Sequence, residues 1–296
     1  MRRIFLLGLT IVLTASLISA CQQEKSSVPV ATPTDSTALR LALMPTMSCL
    51  PFYYAEQMGI YDSLGLNVEI VPFNAQFDCD SALLGGSVDV AATDLLRLQY
   101  YQKRSEKLVA FMSLADSWSL VVTEKNPGKT LRKIGNQTLA CSRFSASDYY
   151  SRVALLGAGL DTDTVFRPQI NNLFLRTTML QNGQVDAAML PEPLATAAGF
   201  AGARRLYTSS VTDTIRMTCI AMRPARLNQE QKDILIKGYN KSAELIDIRK
   251  DNNLSNILQN AYKLHPEVCD SLRLPIPFPK AIQPAAISWQ AARQTF

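Results

Sequence analysis

The phrase Gly-x-Val-Asp-x-Ala occurs twice in this chain, at Gly86-Ser87-Val88-Asp89-Val90-Ala91 and at Gly183-Gln184-Val185-Asp186-Ala187-Ala188. Each copy follows an apolar helical stretch and opens a short apolar strand. Glycine enters the left-handed conformation at a helix end without a Cβ clash, so each Gly reads as a helix stop. A chain that builds the helix-Gly-strand unit twice folds as two similar α/β lobes with a cleft between them. The same turn also recurs singly in any α/β protein, so the phrase defines the local unit before it defines the whole.

The N-terminus carries Arg2 and Arg3, an apolar run from Ile4 to Ile18, then Ser19-Ala20-Cys21. A charged start, a short apolar run and small residues before a cut form an export signal; the run falls short of the roughly 18 to 20 apolar residues that span a bilayer. Ile18-Ser19-Ala20-Cys21 resembles a bacterial lipobox. That resemblance implies a lipoprotein signal peptide over 1–20, with Cys21 becoming the first mature residue and carrying diacylglycerol and an amide-linked acyl chain such as palmitate. Residues 21–38, rich in Gln, Ser, Thr and Pro, read as a flexible tether holding a folded domain off a membrane.

Loss of 1–20 removes Arg2 and Arg3 and no acid, so the formal net charge of +5 falls by two. The remaining basic residues are scattered, which argues against nucleic acid as a partner. Five cysteines follow Cys21, with no C-x-x-C pair, and the sole histidine is His265, so neither a zinc site nor a redox motif is expected. Cys49 and Cys79 fall in loops after the first two predicted strands, which should be sheet neighbours, so a disulfide between them is one expectation and two free thiols the other.

Apolar runs and breakers predict strands at 39–44, 67–72, 88–93, 108–115 and 118–123, with helices from Pro51, up to Leu84 and over 94–104 between them. The second half reads as strands at 137–141, 165–170, 185–190 and 215–222, helices over 148–156, 177–181, 228–248 and 254–262, an extended stretch at 274–279 and a short closing helix. Alternating strands and helices predict parallel sheets.

This order of pieces resembles the solute-binding lipoproteins of ABC importers, in the group that takes nitrate, sulfonate, taurine and thiamine-pyrimidine precursors. The residues that carry it are Pro51-Phe52-Tyr53-Tyr54-Ala55-Glu56, Gly59-Ile60-Tyr61, Gly65-Leu66-Asn67-Val68-Glu69, the two Gly-x-Val-Asp phrases, Gly159-Leu160 and Met189-Leu190-Pro191-Glu192-Pro193. The resemblance implies a type 2 periplasmic-binding fold: α/β, two Rossmann-like lobes joined by two hinge strands. The hinges fall near Ser119–Val122 and Thr218–Ala221, giving a first lobe of 39–120 plus 219–296 and a second of 121–218. It also implies a monomer with no cofactor that captures a small molecule, hands it to an ABC permease, and is held to a membrane facing the periplasm or cell exterior by its lipid.

In open α/β sheets, ligands sit at the carboxyl ends of strands, where helix N-termini present free N–H groups. The loops so placed offer Thr46, Ser48 and Phe52; Asn74 and Phe77; Asp94; Trp118; Arg143, Ser145 and Ser147; and Glu192 as ligand contacts. The Ser142–Ser147 stretch suits an anionic group or simply caps a helix. Asp78, Asp94, Asp116 and Glu192 oppose a bare oxyanion. Phe52, Tyr53, Phe77, Trp118 and Tyr149 either stack on a ring or fill lobe core. A polar aromatic or zwitterionic metabolite suits the mixture. No Ser or Cys has a sequence-evident catalytic base, so catalysis is not expected. Relatives that make pyrimidine precursors carry clustered cysteines and a histidine that this chain lacks in those places. A sensing or scaffolding lipoprotein is the remaining alternative.

Overall fold

In a computed structural model of the chain, the described residues are 38–104, 106–123, 130–209, 215–246, 252–275 and 278–295. The expected export signal, the lipid-bearing Cys21 and all of the tether but Ala38 lie outside them. The strands in chain order are β1 (Leu39–Leu43), β2 (Val68–Pro72), β3 (Val90–Asp94), β4 (Val109–Ser113), β5 (Trp118–Val122), β6 (Leu139–Ala140), β7 (Ala187–Pro191), β8 (Arg204–Thr208) and β9 (Thr218–Met222). The helices are α1 (Leu50–Gln57), α2 (Ile60–Ser63), α3 (Gln76–Gly85), α4 (Leu95–Gln102), α5 (Ala146–Gly157), α6 (Leu173–Gln181), α7 (Leu194–Phe200), α8 (Gln229–Leu245), α9 (Asn252–Asn260), α10 (Pro266–Ser271) and α11 (Ala286–Gln294).

One sheet runs β2-β1-β3-β9-β4 and the other β6-β7-β5-β8. The crossover-connected strands β1, β2 and β3 are parallel, as are β6 and β7. The expectation of wholly parallel sheets is corrected at β9, antiparallel to β3 and β4, and at β5, antiparallel to β7 and β8. These are the two strands that enter a sheet directly from the other one. Without a crossover helix to bring the chain back to the same end, each comes in from the opposite direction.

The placement of the lobe boundary changes for the same reason. All of β5 pairs within the second sheet and all of β9 within the first. The chain therefore crosses over residues 114–117 and again between Ser209 and Thr218, ahead of the strands expected to be the hinges. The strand expected at 165–170 is reduced to two isolated pairings, Thr138 with Phe166 and Cys141 with Gln169. Pro168 between them has no N–H to give a ladder. In contrast, β8 went unforeseen: it is an edge strand whose arginines face water.

Both copies of the repeated phrase do one structural job. Gly86 (φ +76°) and Gly183 (φ +70°) take the left-handed conformation after α3 and α6. Val88 and Val185 are buried. Asp89 Oδ2 accepts from the Arg40 N–H of β1 at 2.8 Å, and Asp186 Oδ2 accepts from the Thr138 N–H beside β6 at 2.9 Å. Each carboxylate thus ties the repeat to the start of the neighbouring strand, satisfying an otherwise unpaired donor.

The core has three parts. One packs α1, α8, α9 and the C-terminal segment on one face of the first sheet, a second runs from the other face of that sheet to the second sheet, and a small third backs the second sheet. Cys49 belongs to the first part and Cys79 to the second, on opposite sides of the sheet. Both are free thiols, which corrects the disulfide expectation. Cys49 Sγ accepts from the Thr46 hydroxyl at 3.4 Å, and Cys79 Sγ donates to the Ala92 carbonyl at 3.4 Å.

Candidate functional site

The carboxyl ends of β1, β3 and β7 and the N-termini of α5 and α6 converge where the two sheets face each other. The Met47 N–H donates to the Glu192 carbonyl at 2.7 Å, and the Leu173 N–H to the Asn74 carbonyl at 2.9 Å. Arg97 donates to the Arg143 carbonyl at 3.4 Å. Tyr100 stacks on Phe144 with ring centroids 4.9 Å apart, and the Ala146 N–H of α5 faces Asp94 closely enough to lower its pKa. Every one of these contacts joins the first lobe to the second, so the lobes are closed on each other.

Between them lies a cavity of about 20 Å³ lined by Met44, Thr46, Gln76, Ala92, Asp94, Asp116, Trp118, Ser142, Ser145, Ser147, Asn171, Leu173, Arg176 and Thr218. That space suits roughly one water-sized group. A larger molecule requires the lobes to part further than they do here.

Burial pushes the Asp94 carboxyl up to about 7, against the opposing pull of the Ala146 N–H. Burial also raises Asp116, although Thr218 Oγ1 donates to its Oδ2 at 2.7 Å and the Ser48 N–H to its Oδ1 at 3.2 Å. Arg176 is buried and pulled down to about 10 by desolvation. Its guanidinium donates to the Ile170 and Met189 carbonyls, and no carboxylate shares those bonds. The three serines form one network: Ser145 Oγ donates to the Ser142 carbonyl at 2.6 Å, and Ser147 Oγ accepts from the Ser142 N–H at 2.8 Å. The indole N–H of Trp118 has no partner, although the residue is 6% exposed. A buried donor left in that state costs about 1–3 kcal/mol.

Thr46, Asp94, Trp118, Ser145 and Ser147 thus meet at the cavity as the sequence suggests. Ser48 lies just behind it, sharing a hydrogen bond with Thr46 at 3.0 Å. Tyr262 and Tyr239 hold this turn from the returning C-terminal part, donating to the Thr46 and Ser48 carbonyls at 2.9 and 3.1 Å. The other predicted contacts lie elsewhere. Phe52 is core, 4.8 Å from the Tyr239 ring. Phe77 is 53% exposed on α3, and Asn74 reaches across the cleft through its carbonyl. Arg143 lines a separate shallow depression with Phe166 and Arg167, because its side chain leaves the loop on the solvent side. Glu192 is paired with Arg205 at 2.5 Å and faces a second groove, of about 270 Å³, beside the 114–117 crossing. Sequence reasoning passed over Arg176, Asn171 and Gln76, took Thr218 only as part of a hinge strand, and reached Ser142 only as part of the Ser142–Ser147 stretch. Arg176 alone carried a signal: it is the one charge in the apolar run Leu173–Leu180.

The NMT1/THI5-like family matches residues 46–194, half of the chain and all of the cleft loops from Thr46 to Pro193. The chain belongs to that family. Among solved structures, the periplasmic aliphatic sulphonate binding protein SsuA from Escherichia coli aligns with a TM-score of 0.70 at 19% identity, over 88% of this chain and 86% of that one. The alkanesulfonate-binding protein SsuA from Xanthomonas axonopodis pv. citri bound to MOPS gives 0.73 at 18% identity, over 88% and 91%. The periplasmic nitrate-binding protein NrtA from Synechocystis PCC 6803 gives 0.66 at 13% identity, over 83% and 73%. The fold is therefore the two-lobed type 2 periplasmic-binding architecture. No curated protein matches the chain.

Proposed function

We propose that this protein is an exported, lipid-anchored solute-binding protein that encloses a small polar organic metabolite between its lobes and delivers it to an ABC importer. The observation that carries the reading is the closed interlobe cavity, to which both lobes send polar side chains from strand ends and helix N-termini. Membership of the NMT1/THI5-like family and the binding-protein names of its structural neighbours support it. The site favours binding over catalysis: its serines bond to one another and to backbone, and burial pushes the nearby Cys141 thiol up to about 11, away from the reactive thiolate.

Lobes that separate at the 114–117 crossing and close on solute give the reading its mechanism. The lipobox-like Ile18-Ser19-Ala20-Cys21 supports attachment, with acyl chains adding roughly 0.8 kcal/mol per buried CH₂. Native mass spectrometry of the Cys21→Ser protein from its own host tests the function: a retained small molecule at one per monomer is expected. A protein that never retains or binds one is a sensing or scaffolding lipoprotein instead. Wild type should partition into detergent, while Cys21→Ala should remain unprocessed and unlipidated.

A further inference from the structure

We infer that the solute carries a protonated amine, held by Asp94 and Asp116, beside a hydrogen-bond acceptor that takes the Trp118 indole N–H. This deepens the solute-binding reading and rests on it. The cavity lining brings two carboxylates against a single guanidinium. Burial raises both carboxyls, so an anion entering there would drive them further toward the neutral form, whereas an ammonium group would compensate them as carboxylates. Arg176 spends three of its five N–H donors on the Ile170 and Met189 carbonyls, and the remaining two can serve the acceptor group of the same solute.

The N-terminus of α5 would otherwise be the anion seat, but the chain fills it. The Ala146 N–H faces Asp94, whose pKa it lowers, and the Ser147 N–H donates to Ser145 Oγ at 3.2 Å. A molecule that enters between Asp94 and Ala146 must satisfy both. It needs a donor for the carboxylate, best supplied by an ammonium, and an acceptor for the freed N–H. The unpartnered Trp118 N–H independently asks for an acceptor in the same space, and the indole face favours a neighbouring cation. Asp116 retains acceptor capacity, since each of its oxygens takes one protein bond from Ser48 or Thr218.

Isothermal titration with matched probes tests the assignment: 2-aminoethanesulfonate against 2-hydroxyethanesulfonate, and benzylammonium against benzyl alcohol. The ammonium member of a pair should bind at least tenfold more tightly, and Asp94→Asn and Asp116→Asn should each reduce that preference. Trp118→Phe, which retains the ring and removes the N–H, should weaken binding of the aminosulfonate. Equal binding within the pairs, or preference for the hydroxy anion, overturns the amine. If no probe binds, native mass spectrometry of the protein from its own host decides: a retained molecule with a basic nitrogen supports the assignment and one without it overturns it. An empty protein that no probe engages overturns the solute-binding reading itself.

Discussion

Asp94 sits at the end of β3 with its carboxyl raised to about 7 by burial, facing Asp80, Asp116, Arg97 and the Ala146 N–H. Because the folded protein then holds this proton more tightly than the unfolded chain, the unfolding free energy falls as pH rises from about 4 to 7 and levels off above. The slope for one such group is at most about 1.4 kcal/mol per pH unit. Urea melts at pH 5 and pH 8 should show wild type weaker at the higher pH, and Asp94→Asn should flatten most of the difference. An unchanged slope in the variant would assign the pH dependence to other groups. Asp94 was legible in the sequence because a strand ending in Asp before a helix places it at a crevice. Arg143 was misplaced, because which way a loop side chain turns is not encoded in its spacing.

At the scale of elements, α8 packs against α2 through a missing side chain. Gly238 lies within α8, and a Cβ there would enter the Tyr61 ring, which is itself buried. Alanine gains roughly 1 kcal/mol of helix propensity over glycine, but overpacking costs about 1–3 kcal/mol. Gly238→Ala should therefore lower the urea midpoint. Gly157→Ala, at the end of α5 with open space around its Cβ position, should leave the midpoint unchanged or raise it. Equal behaviour of the two would mean that α2 moves aside without cost. The doubled Gly-x-Val-Asp phrase belongs to this scale too. It predicted a helix stop and strand in each lobe, while the service of Asp89 and Asp186 to a neighbouring strand depends on register, which no single segment contains.

Among the contacts that join the two lobes, several lie along α4 and the loop before α5. Phe144 has φ +57°, a left-handed conformation that a bulky residue adopts only when surroundings compel it. Its ring stacks on Tyr100, whose own ring lies under the Arg104 guanidinium at 3.6 Å. Phe144→Ala keeps a Cβ at the strained position and removes the stack, at a cost of about 0.5–1.5 kcal/mol to closure. Small-angle scattering should show a larger radius of gyration for this variant than for wild type without solute. No expansion would mean that the remaining cross-cleft hydrogen bonds suffice. Trp118 reports the same motion from inside the cavity, whereas Trp289 packs on α4 within the first lobe. A solute-dependent emission change should survive Trp289→Phe and disappear in Trp118→Phe.

The sequence alone determined the two-lobed α/β plan, because apolar periodicity and glycine stops act over a few neighbouring residues and were present twice. It also placed Asp94, Trp118 and the Ser145–Ser147 cap near a cleft, since strand ends and helix starts define one. Tertiary structure alone decided that β5 and β9 run against their neighbours, that Cys49 and Cys79 lie on opposite faces of a sheet, and that Arg176 and Thr218 join the cavity. Those outcomes turn on the direction in which the chain re-enters each sheet and on how one lobe packs against the other. Both are set by contacts between segments far apart in sequence, where local pattern carries no information.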